Sequence, residues 1–244
     1  MAAPPETFTV DELENAVDSL ETACSFLDRA DPLKWKWVTF AVHHSLYSMC
    51  VTCLCMCQPS SVLSLRKGKD DEGRLCQIGN SPWMKSKIVP VGEGTAYRIV
   101  WEPTTERIPE TDYTPEDPIE RLRRQEKLPL IGFWTALARV QDSHLWMGRQ
   151  TISKALVLSD EEIRQLTWLH EQVRNDLMHF KIKTYTVFTD GVQVATLTAV
   201  RAIAFLAFDS HTFVWPIKGS HYERIQRAVK QMRNRLTGES HRLN

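Results

Sequence analysis

Residues 171–180 read Glu171-Gln172-Val173-Arg174-Asn175-Asp176-Leu177-Met178-His179-Phe180. Val173, Leu177 and Phe180 are apolar and surround an arginine, an amide, a carboxylate and a histidine, so the polar set is held against a core. The stretch reads as the end of an amphipathic helix. A helix turns ~100° per residue, so Asn175 and His179 share a face about one turn apart. By the same arithmetic Arg174 lies ~140° around from His179, within reach of its long side chain. One copy makes a sparse site. Two copies facing across a dyad would set two imidazoles and two guanidiniums around one groove.

Upstream of this stretch, Ser159-Asp160-Glu161-Glu162 is a capping box. Ile163, Leu166, His170, Val173 and Leu177 continue one helical stripe from it to the motif. Ile131, Trp134, Leu137 and Val140 make a further helix after Pro129, while Asp142–Leu156 fits no single pattern. Downstream, Lys181–Val194 is expected to be strand-like around Asp190-Gly191, a hairpin turn signal. An apolar helix from Leu197 to about Phe208 follows, closed by Trp215-Pro216. A last helix starts near His221, with Ile225, Val229, Met232 and Leu236 on one face.

The N-terminal part begins with the stripe Leu13, Val17, Leu20, Cys24 and Leu27, capped by Asp11 and ended by Asp31-Pro32. A second helix covers about Trp35–Cys57 and carries no charge from Trp37 onward. Its length is near that of a bilayer span. His43, His44, Ser45, Tyr47, Ser48 and Thr52 in its middle favour a buried central helix instead, and no membrane association is expected. Residues 60–127 read as an insertion rich in Gly, Pro and charge, with strand-like runs at Lys87–Val91 and Ala96–Trp101 that suit a short β-hairpin. The fold class is therefore mainly α: one helical bundle over 1–244 with an irregular insertion at 60–127.

Composition narrows the function classes. With 30 basic and 30 acidic residues the chain has no global nucleic-acid signature. Its charge is nevertheless segregated, with an acidic start through Asp31 and a basic tail carrying Arg224, Arg227, Lys230, Arg233 and Arg235. That tail suits either a phosphate backbone or pairing with the acidic start. Six cysteines without a secretory leader imply reduced thiols and a cytoplasmic protein. Cys50, Cys53, Cys55 and Cys57 lack paired knuckle spacing, so they read as buried small hydrophobes, with no metal and no cofactor expected.

Arg174-Asn175, with His179 closing the motif at the end of a late amphipathic helix, resembles the signature of the HEPN superfamily. The likeness covers residues ~8–57 and ~128–236 in outline and is matched residue by residue only at Arg174, Asn175 and His179. HEPN domains are helical bundles with this motif at or near a helix end, followed by a further packing helix. In active members the motif cleaves RNA without metal, across a homodimer or a paired domain. The resemblance thus implies a HEPN-like ribonuclease of toxin or defence type, with RNA as substrate and a second copy as partner. It also leaves room for an antitoxin or other regulatory protein. His179 would move a proton and Arg174 would bind the scissile phosphate. Asn175 would orient His179 or touch RNA.

Chemistry agrees with that division. An imidazole titrates near neutrality and serves as base or acid, whereas a guanidinium keeps its proton and donates paired hydrogen bonds to phosphate. One departure is Lys181, which stands where adenylylation-controlled HEPN toxins carry a tyrosine. Two other readings compete: a non-catalytic HEPN-type RNA-binding or dimerisation module, and a helical scaffold that binds protein through Trp35, Trp37 and the acidic loop.

Overall fold

The structure is a computed structural model. It describes residues 11–57, 62, 67–69, 75–77, 84–90, 97–103, 130–143, 147, 153–178, 186–213 and 220–238, the strand residues by backbone only. Predominantly helical, the described chain runs α1 (Glu12–Leu27), α2 (Lys34–Cys57), β1 (Lys67–Lys69), β2 (Leu75–Gln77), β3 (Met84–Pro90), β4 (Tyr97–Pro103) and α3 (Phe133–Val140). Next comes α4 (Asp160–Thr167), which runs on through a π-helical segment, Trp168–Arg174, into a last α turn, Asn175–Met178. Two helices follow: α5 (Thr189–Ala204), with a π-helical end at Phe205–Asp209, and α6 (Ser220–Thr237).

Local chemistry sets the helix starts. Asp11 accepts the Glu14 amide at 2.8 Å and caps α1. Ser159 and Glu162 form the reciprocal capping box that opens α4. Replacing Ser159 with Ala should cost about 1 kcal/mol, read as a shift in the urea midpoint at unchanged slope.

Helix α2 is the hub. Val38, Val42, Leu46, Met49, Cys50, Cys53 and Leu54 are all nearly or fully buried, and α1, α3, the π segment and α5 pack on it. Its polar residues are bonded inward: Ser45 donates to the Ala16 carbonyl at 2.7 Å, and Cys53 to the Leu206 carbonyl at 3.7 Å. Both α2 and Thr189–Asp209 are long and apolar enough to cross a bilayer, yet 67% and 61% of their apolar windows are buried inside the bundle. Burial drives the Cys50 and Cys53 thiols well above the ordinary range, so neither is a ready nucleophile. Native Cys50 and Cys53 should therefore resist a thiol-alkylating reagent that labels exposed Cys55, as peptide mapping would read.

The charged ends of the chain meet. Arg224 of α6 holds Glu14 and Glu21 of α1 at 2.8 and 2.6 Å, and Arg235 holds Asp28 at 2.8 Å. His221 adds a 2.8 Å contact to Glu14. Part of the basic tail is thus consumed by the acidic start, leaving Arg227, Lys230 and Arg233 exposed.

Within the expected insertion, β1 pairs with β2 and β3 with β4, both antiparallel, and β3–β4 overlaps the two expected strand-like runs. The rest of 60–127 lies outside the described residues. One expectation is corrected. Asp190-Gly191 is not a hairpin turn but lies in the first turn of α5. An aspartate there complements the positive end of the helix dipole. A Cβ at Gly191 would come 3.2 Å from the Trp168 ring, a tight approach. Residues 181–185 of the expected strand-like run lie outside the described residues, and 186–188 are not strand.

Candidate functional site

The motif helix crosses α2 where the π-helical segment begins. A π turn takes more residues than an α turn, so Trp168–Arg174 shifts the phase of the side chains that follow. Of the expected stripe, Ile163, Leu166 and Val173 are buried while His170 and Leu177 are only partly so, and Leu169 is buried beside them. Arg174 and Asn175 are half-buried at the exit from the π segment.

Six side chains with polar atoms form a connected group there. Arg174 Nη1 donates to Asn175 Oδ1 at 2.8 Å. Asn175 Nδ2 donates to Glu171 Oε2 at 3.2 Å, and the Trp134 indole donates to Glu171 Oε1 at 2.7 Å. His170 Nε2 lies 3.8 Å from the same carboxylate oxygen. His170 Nδ1 meets His43 Nε2 of α2 at 2.6 Å. The Asn175 amide is therefore spent on holding Arg174 and Glu171. His179 and Phe180 lie outside the described residues.

The two imidazoles sit in an aromatic box. Phe133 stacks on His170 with ring centres 4.8 Å apart and lies 4.4 Å from His43. Trp134 meets His170 edge-on at 5.2 Å. Tyr47 donates to the Ile131 carbonyl at 2.5 Å, which pins the start of α3 against α2. Desolvation lowers His43 well below its ordinary value, and the cationic forms of His170, Arg174 and His44 push the same way. Burial likewise lowers His170, with Glu171 opposing and Arg174 assisting. A single proton fits between the facing nitrogens, and with both groups lowered below the ordinary histidine value the neutral forms are favoured near pH 7. The nearby Glu171 carboxylate favours the His170 proton on Nε2, leaving His170 Nδ1 to accept from His43 Nε2–H.

No protein-family model, curated protein or solved structure matches this chain. Arg174 is a fixed cation at a helix end, its orientation set by Asn175, which Glu171 braces in turn. A guanidinium has more donors than Asn175 uses, so N–H groups remain for an anionic oxygen.

Sequence reasoning placed Arg174 and Asn175 on one helix but missed Glu171, His170, His43 and Trp134 as their supports. A signal existed. His170 occupies an apolar stripe position, and His43 lies in an uncharged helix; each needs a buried partner, and each is the other's. Among the described residues no cluster of His, Cys, Asp and Glu suits a metal ion.

Proposed function

We propose that this chain is a metal-independent endoribonuclease of HEPN type, acting as a homodimer in the cytoplasm. The observation that carries the reading is the Arg174–Asn175 pair, joined at 2.8 Å in the last turns of a helix whose sequence runs on to His179. The predominantly helical architecture agrees with it.

In the proposed reaction the RNA 2′-oxygen attacks the adjacent phosphorus and gives its proton to a base. The bond from phosphorus to the 5′-oxygen breaks, and an acid protonates that oxygen. His179 takes one of these two proton transfers. Arg174 donates to the non-bridging oxygens as negative charge builds on them. Asn175 keeps the guanidinium in place.

His43 is buried and His170 largely enclosed, and desolvation favours the neutral form of both, which suits support better than exchange with substrate. A second copy then supplies the other acid–base group, across a two-fold axis that brings both motifs to one cleft. An antitoxin or other regulatory protein would act by covering that cleft.

The substrate test compares single-stranded RNA, DNA of the same sequence, and RNA methylated at the 2′-oxygen. Only unmodified RNA should be cut, since the nucleophile is its own hydroxyl. Cleavage of DNA would end the proposal. Sedimentation should show a dimer at the concentrations that support cleavage. A monomer that cleaves RNA would remove the composite site.

A further inference from the structure

Helix α6 carries the cations Arg224, Arg227, Lys230, Arg233 and Arg235 against a single acid, Glu223. The acidic α1 takes the two at its border: Arg224 binds Glu14 and Glu21, and Arg235 binds Asp28. Arg227, Lys230 and Arg233 are exposed and form no ion pair among the described residues. Glu223, exposed one turn before Arg227, forms none there either. Steps of three residues set the three cations within an arc of about 120° and about 9 Å of helix axis. The exposed amides of Gln226 and Gln231 border them.

A solvated helix ordinarily mixes its charges, so that residues three and four apart pair. This face does the reverse, with its cations at spacings where like charges repel. The helix dipole favours Arg235 in the last turn, but its effect fades before Arg227 and Lys230. No exposed residue of α6 is apolar. The face thus lacks the apolar centre of a protein interface and the apolar side by which a surface helix enters lipid. It offers charge and hydrogen-bond donors in line, the groups that a phosphate backbone takes up.

We infer that the face of α6 bearing Arg227, Lys230 and Arg233 is a docking surface for the phosphate backbone of RNA, separate from the site at Arg174. Helix α6 packs on α1 and α5, whereas the motif helix packs on α2 and α5, so the docking face shares no helix with the motif. Contacts of this kind read charge and not sequence. Naming RNA as the polyanion rests on the reading of the chain as a ribonuclease. The face adds affinity for RNA away from the scissile bond and contributes no group to the reaction.

The test is fluorescence anisotropy of a 2′-O-methyl oligouridine, which binds without being cut, titrated with the full chain at several salt concentrations. Arg227→Gln, Lys230→Gln and Arg233→Gln combined should weaken binding at least about tenfold at low salt. They should also lower the slope of log affinity against log salt by about two, as three lost single-strand phosphate contacts require. A control removes the same charge elsewhere, through Arg29→Gln, Lys154→Gln and Arg164→Gln at exposed positions, and should change both quantities far less. Equal losses in the two triple variants would reduce the effect to net charge and overturn the docking face. Unchanged affinity in the folded α6 variant would overturn it too, even where the parent cleaves RNA. Binding that depends on α6 in a parent that never cleaves keeps the face and removes the nuclease reading. A parent that binds no RNA removes both, and α6-dependent binding to anionic lipid vesicles in place of RNA would overturn the RNA assignment in favour of a membrane.

Discussion

Arg174→Ala and His179→Ala should each lower the rate of RNA cleavage by at least ~100-fold, the usual scale for a positioned charge or acid–base group. Thermal stability should change far less, because Arg174 is only half-buried and sits at a helix end. Arg174→Lys should restore part of the rate, since it keeps charge but loses the planar fork and the Asn175 contact at 2.8 Å. Single-turnover rates on one labelled RNA separate these variants. A His179→Ala protein as active as its parent, or one that loses activity only by unfolding, would deny this residue a chemical role.

The second large effect concerns stability against pH. Both members of the His43–His170 pair have folded pKa values below the ordinary 6.5, because burial disfavours their cations. Below 6.5 the unfolded chain therefore binds more protons than the folded one, and folding free energy is lost as pH falls. Each neutral buried histidine contributes a slope that approaches about 1.4 kcal/mol per pH unit. Glu14, lowered first by its hydrogen bond to Arg224, acts in the same direction but only below its ordinary value of 4.5. The interval from about pH 6.5 to 5 thus isolates the histidines. Urea melts across it should show a clear decline, and His170→Gln should make that decline shallower. An equal slope in the variant would mean that the pair is not held neutral.

Much of the bundle is legible in the chain because its signals are local. Asp11 and Ser159 announce helix starts through their own side chains, α2 follows from its long uncharged run, and α6 from the spacing of its apolar residues. The hairpin expected at Asp190-Gly191 failed for a non-local reason. The same dipeptide that favours a tight turn also suits a helix start packed closely against a distant Trp168 ring. The π-helical segment was invisible too, since nothing in the local residue types marks where i→i+5 bonding replaces the α turn.

The site divided along the same line. Arg174 and Asn175 are sequence neighbours, so their pairing is visible as a motif. Their support is not. Glu171 is fixed by Trp134 from another helix, and His170 by His43, 127 positions away along the chain. Such contacts exist only once the bundle has closed.

The most direct measurement on the central claim is the chemistry of the cut ends. Purified protein is incubated with single-stranded RNA in excess EDTA, and the fragments are weighed by mass spectrometry. Attack by the 2′-oxygen, with His179 moving the proton, predicts fragments ending in a 2′,3′-cyclic phosphate and beginning with a 5′-hydroxyl. Fragments with 5′-phosphates, or cleavage that stops in EDTA and returns with magnesium, would contradict it.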